Sequence, residues 1–252
     1  MILLTVAYVF NFVDRYILGL LVEPIKADLG LSDTQMGLLI GPAFAILYAA
    51  AGLPLGWLAD RMRRTLILGC GVALWSLATA ASSLARNFSQ LFLARVGVGV
   101  GEATLAPCAL SMISDSFPPE RRGRPIAFYT AAQSLGAGLA ALGGAAILGW
   151  ANSVDRLSLP MLGELTAWQF TFIVVGLPGL VVALLLFMTR EPARQERAAN
   201  EGGASIGATL MYLWERRGTY LSFVAFPLVM TTVAYSQTFF AALYMRTWDW
   251  PI

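Results

Sequence analysis

The sequence predicts an all-α membrane protein, a six-helix transmembrane bundle followed by a seventh transmembrane helix. Three observations lead there. Of the 252 residues, 58% are apolar and only 13% are charged, about half the charged share of an ordinary soluble domain. The apolar residues gather into seven stretches of about 20 residues or more, the length needed to cross about 30 Å of hydrocarbon at about 1.5 Å per residue. The connections between them alternate between arginine-rich and arginine-poor.

The stretches are Ile2–Val22, Gln35–Leu58, Leu66–Ala85, Leu91–Phe117, Pro125–Trp150, Trp168–Thr189 and Thr219–Tyr244. The first has no basic run before it and no small-residue cleavage site after it, so it reads as a spanning helix and not a signal peptide. The second ends in a loop with Arg61, Arg63 and Arg64, and the third runs from that loop towards Arg86. The fourth carries Arg95 and Glu102 seven residues apart, two helical turns, on one face. The fifth follows PPERRGR, with Arg121, Arg122 and Arg124, and the sixth runs into a polar stretch with Arg190, Arg194, Arg197, Arg216 and Arg217.

Eleven arginines thus fall on one side, against Lys26, Arg86, Arg156 and Arg246 on the other. Positive loops stay cytoplasmic, which predicts a multi-pass protein of the plasma (bacterial inner) membrane with its N-terminus in the cytoplasm. Residues 1–189 read as an N-terminal bundle, 190–218 as a cytoplasmic linker and 219–252 as the first helix of an incomplete C-terminal bundle. One helix after a linker suggests a chain that stops partway through its second half.

Small residues recur four apart at Gly37 and Gly41, Gly52 and Gly56, Gly97 and Gly101, and Gly136, Ala140 and Gly144, a spacing that lets helices approach. Pro42, Pro54, Pro107, Pro178 and Pro227 lie inside apolar stretches, where they kink helices.

The composition also excludes. The sequence has no His, so a Cys/His metal set and a His-activated nucleophile are both missing, and no enzyme activity, metal or cofactor is expected. Cys70 and Cys108 sit in apolar stretches as small hydrophobes. The expected partners are the lipid bilayer, protons, a small-molecule substrate and the missing C-terminal bundle, with no nucleic acid.

Four charges fall inside the apolar stretches: Asp14, Arg15, Arg95 and Glu102. Each costs about 2.5–3.5 kcal/mol at mid-membrane unless paired or hydrated. Asn11 shares a helix face with Asp14 and Arg15 at three and four residues' spacing. One reading is a fixed ion-pair network that only holds the bundle, which would suit a membrane-embedded binding or assembly protein. The other is a carboxylate that exchanges a proton and, on doing so, frees an arginine charge. Tyr8, Tyr129, Gln133, Tyr235 and Gln237 are candidates for lining a substrate cavity.

A second cluster is GWLADRMRR, Gly56–Arg64, with Asp115 at the same membrane surface. Gly56, Leu58, Ala59, Asp60, Arg61 and Arg64 match the loop signature Gly-x-Leu-Ala-Asp-Arg-x-Gly-Arg-Arg, although Arg63 replaces its second Gly. In this the chain resembles the major facilitator superfamily. Arg95-x-x-x-Gly99-x-Gly101, SDSFPPERRGRPIAF and AWQFTF are similar to that family's fourth helix, its helix four–five connection and the start of its sixth helix. NFVDRY with RVGVGVGEA resembles the Spinster-like branch, whereas SLGAGLAALGG matches the family's helix-five antiporter signature only loosely, lacking its Pro.

The resemblance implies a twelve-helix, two-bundle transporter working by alternating access, proton-coupled, for a small organic or amphipathic substrate such as a lysolipid or sphingoid base. It implies that Asp14 senses the proton with Arg15 and Glu102 as its network, and that Arg95 serves the proton or substrate route. It also implies that Asp60 holds the cytoplasmic gate, with Arg61 and Arg64 paired to acids such as Asp115.

Overall fold

The computed structural model describes residues 1–153, 157–159, 163–194, 206–236 and 240–248. Its helices are α1 (Ile2–Leu20), α2 (Val22–Leu29), α3 (Asp33–Ile40), α4 (Pro42–Arg61), α5 (Arg64–Ser82), α6 (Phe88–Glu102), α7 (Leu105–Ser116), α8 (Gly123–Ser153), α9 (Ala167–Met188), α10 (Ile206–Glu215), α11 (Arg217–Ser236) and α12 (Phe240–Trp248). Six spans among the described residues are long and apolar enough to cross a membrane: 2–20, 33–61, 64–82, 88–116, 123–151 and 167–188. The seventh expected stretch coincides with α11 and α12, with 237–239 outside the described residues.

The fourth expected helix, Leu91–Phe117, is not one continuous helix. It is α6 and α7 end to end, interrupted at Ala103–Thr104. Pro107 has no N–H for the carbonyl four residues back, and its ring crowds that carbonyl. The chain tightens there, with the Thr104 N–H and its hydroxyl both donating to the Gly101 carbonyl, at 3.2 and 2.8 Å. Gly41 and Pro42 divide the second span into α3 and α4 by the same chemistry, Pro42 opening α4 where its missing N–H costs nothing.

A short antiparallel hairpin, β1 (Leu157–Leu159) with β2 (Gly163–Leu165), precedes α9. Ser32 with Gln35 and Thr166 with Gln169 form reciprocal capping boxes that fix where α3 and α9 begin. Trp168, buried at the start of α9, donates from Nε1 to Asp28 at 2.8 Å and ties α9 to α2.

The bundle packs α5 against α9 and α6, and α1 against α8. A Cβ on Gly101 would stand 2.7 Å from the Gly71 carbonyl oxygen, and one on Gly136 would stand 2.6 Å from Phe12 Cβ. These two glycines let the backbones close. Gly37, Gly52 and Gly56 meet nothing within 4 Å, so their four-residue spacing does not mark a helix contact among the described residues.

Two apolar clusters fill the interior. One gathers Leu4, Ala7, Leu68, Trp75, Val98, Met112 and Leu186. The other gathers Ile17, Leu21, Met36, Leu91, Trp168 and Phe172. Along α1 the change from one to the other falls at Asn11 and Asp14, and on α5 the buried Ser76 and Thr79 follow Trp75, the last buried α5 residue of the first cluster. A polar layer therefore crosses the bundle between two dry ends.

Candidate functional site

The site starts from the rotation of α1. Leu4, Ala7, Asn11, Asp14 and Leu18 recur at three- and four-residue spacing and are all buried, so this face is turned into the bundle. The next residue, Arg15, is rotated by about 100° and leaves that face. Two separate ion pairs result from adjacent residues.

Asp14 points inward. Its Oδ2 accepts a hydrogen bond from the Thr79 hydroxyl of α5 at 2.6 Å, and its Oδ1 lies 3.7 Å from Arg95 Nη2 of α6. The Arg95 guanidinium lies 5.4 Å from the centroid of the Phe172 ring of α9. Both charged side chains are nearly sealed, at 3% and 4% exposure.

Arg15 points sideways. Its Nε donates to Glu102 Oε2 at 2.6 Å, and Glu102 is fully buried while Arg15 is 24% exposed. Phe44, Tyr48 and Phe12 present their rings to the guanidinium at 4.7, 5.0 and 5.2 Å. Tyr8 stacks on Tyr129 at 4.3 Å, almost parallel, and meets Phe12 edge-on at 4.9 Å. Together these rings form an aromatic wall round a cation, with an acid behind it.

Several polar atoms in this layer are buried without a hydrogen-bond partner among the described residues: both amide atoms of Asn11, Glu102 Oε1, Arg95 Nε and the Tyr129 hydroxyl. A desolvated polar atom left unpaired costs about 1–3 kcal/mol.

Of the sequence candidates, Asn11, Asp14, Arg15, Arg95, Glu102, Tyr8 and Tyr129 fall in or beside this layer. Gln133 is exposed on α8. Tyr235 lies on α11, and Gln237 lies outside the described residues. Thr79, Phe44, Tyr48 and Phe172 had no sequence signal beyond the four-residue spacing of Phe44 and Tyr48.

The second cluster lies at the arginine-rich end. Arg64, 1% exposed, opens α5 and donates to Asp115, to Ser111 Oγ at 2.8 Å, to Glu191 Oε1 at 2.9 Å and to the Pro192 carbonyl at 3.0 Å. Arg61 instead lies over the Trp57 ring at 3.9 Å and donates to the Trp57 carbonyl. Asp60 is exposed, and Gly56 has open space around its Cα. Arg194 hydrogen-bonds the carbonyls of Ala59, Asp60 and Met62, capping the last turn of α4. Glu191 and Arg194, which the sequence showed only as part of a polar stretch, complete this cluster.

The comparisons agree with this architecture. The chain is 37% identical over 194 residues to a probable L-galactonate transporter of Escherichia coli K12, covering 76% of this chain and 39% of that protein. It is 32% identical over 241 residues to an MFS-type efflux pump of Mycolicibacterium smegmatis, covering 94% and 52%. It is 33% identical over 187 residues to protein spinster homolog 1 of Xenopus tropicalis, covering 73% and 33%. The crystal structure of a bacterial homolog to the human lysosomal transporter Spinster, inward-facing and occupied, superposes with a TM-score of 0.75 at 34% identity, covering 99% of this chain and 54% of that one. The chain therefore spans between a third and about half of the length of these relatives. The family profile for the Major Facilitator Superfamily matches residues 4–251. With these relatives, six spans and this helical bundle, the chain belongs to the Major Facilitator Superfamily.

Proposed function

We propose that the protein is a proton-coupled secondary transporter that works by alternating access and moves a small organic anion, polar or amphipathic. The observation that carries this reading is the Arg15–Glu102 pair, a sealed acid holding a partly exposed arginine inside an aromatic wall. Protonating Glu102 removes the counter-charge and leaves the Arg15 guanidinium to attract a carboxylate or phosphate. Deprotonation reverses it. Asp14, held by Thr79 and Arg95, is the second proton-responsive acid and couples α1 to α5 and α6. The probable L-galactonate transporter among the relatives supports an anionic substrate.

The arginine-rich end is proposed to face the cytoplasm, where Asp60 closes against a second bundle and Arg64, Asp115 and Glu191 brace the gate. In the full-length protein in proteoliposomes, Glu102→Gln and Asp14→Asn abolish uptake of L-galactonate or of a lysophospholipid driven by an imposed pH gradient. Membrane insertion stays intact. Uptake by both variants with unchanged pH dependence overturns the proton role.

A further inference from the structure

The end of the bundle opposite the arginine-rich connections holds a charge cluster that neither buried pair involves. Arg246, in the last turn of α12, reaches back more than 200 residues in sequence to the turn region between α1 and α4. Its Nε and Nη2 donate to Glu23 Oε1 at 2.8 and 2.5 Å. The same Nη2 donates to Asp33 Oδ1 at 2.9 Å, and Nη1 to Oδ2 at 3.3 Å. Lys26 Nζ donates to Asp33 Oδ1 at 2.7 Å. Two acids and two bases form one neutral chain of contacts.

The helix ends favour this arrangement. Glu23 and Asp33 stand in the first turns of α2 and α3, and Arg246 stands in the last turn of α12, each where the peptide dipoles stabilise its sign. The hydrogen bonds that Arg246 donates to Asp33 and then to Glu23 raise its pKa, so this link does not titrate away near neutral pH. Arg246 is also 45% exposed. Exposed pairs hold weakly and are screened by salt. A link of this kind fastens two elements without locking them, and α12 also packs against α1.

We propose that Arg246 is a positioning residue of the transport cycle, latching the seventh helix to the first bundle through Glu23 and Asp33 so that the outer face stays shut until the latch opens. This rests on the alternating-access reading, in which a transporter must close one face while the other is open. An inward-facing relative that superposes over 99% of the chain fits a closed outer face here.

The test uses the full-length protein in lipid nanodiscs, with nitroxide labels at Ala27 and Thr247, both exposed, on a background without other reactive cysteines. Electron–electron distance measurements on the otherwise native protein give mainly a short separation. Arg246→Glu raises the long-separation fraction by about fivefold, and Arg246→Gln raises it less. Raising ionic strength from about 0.1 M to about 1 M lengthens the separation in the native latch but not in Arg246→Gln. Reversing the partners as well, Glu23→Lys with Asp33→Lys on Arg246→Glu, restores the short separation, which a loss of side-chain packing alone would not allow. Should Arg246→Glu fail to insert, Arg246→Gln and the salt series still decide. An unchanged distance distribution in Arg246→Gln and across the salt series overturns the latch. Failure of the native protein to transport, with the distance shifts present, overturns the transport reading alone.

Discussion

Asp14 and Arg15 are neighbours in sequence, yet the pairs they form are opposites. Asp14–Arg95 is long, at 3.7 Å, but sealed between α1, α5, α6 and α9, with Thr79 closing one side and Phe172 the other. Arg15–Glu102 is short, at 2.6 Å, but its arginine is partly wetted and faced by three rings. A single step of helical rotation separates a charge sealed from solvent from one that keeps contact with it. An intramembrane ion pair is therefore not one kind of object. Its role follows from which partner retains access to water.

The strongest way to break this contrast is Arg95→Met. It leaves the Asp14 carboxylate buried with only a hydroxyl for company, and near neutral pH we expect a loss of about 3–5 kcal/mol of stability, read from thermal unfolding in detergent. Glu102→Gln should lose much less, because Arg15 keeps its water and its rings. Equal losses would mean that the two pairs are energetically alike. Thr79→Val sharpens the sealed side. It removes a hydroxyl donor to a charged acceptor at nearly constant volume, costing about 1.5–3 kcal/mol, and Thr79→Ser restores most of it. The smallest effect belongs to the wetted side, where Tyr48→Leu removes one ring from Arg15 and costs about 0.5–1 kcal/mol. That variant should leave the melting temperature almost unchanged while weakening the apparent affinity for an anionic substrate, and a large stability loss with unaltered affinity would reverse the assignment.

Much of this was legible in the sequence, and the reasons differ by element. Hydropathy located the spans to within a few residues because lipid imposes length and apolarity directly. The four intramembrane charges stood out because each interrupts an apolar run. What the one-dimensional pattern could not carry was who meets whom. The split into Asp14–Arg95 and Arg15–Glu102 depends on which helices flank α1 and on a single residue's rotation, and Thr79 is an ordinary polar residue until α5 brings it to Asp14.

Proline marked both interruptions, at Gly41 and at Ala103–Thr104, although each span was read as one continuous stretch. The glycine spacing marks no close approach among the described residues at Gly37, Gly52 and Gly56. The closest approaches include Gly71, which has the bulky Ile67 and Trp75 four positions away on either side, and so showed no periodic signal. At the arginine-rich end, the Gly56–Arg64 signature pointed to Arg64 and Asp115, but Glu191 and Arg194 come from a polar stretch whose docking no local pattern encodes.

That docking changes where mechanical load enters the molecule. The chain leaving α9 does not swing free from Met188. Glu191 grips Arg64, and the guanidinium of Arg194 clasps the carbonyl rim of α4. The chain as far as Arg194 is thus anchored at the α4–α5 corner, so a load applied at Arg194 is felt first at the signature loop and only afterwards at the foot of the sixth span.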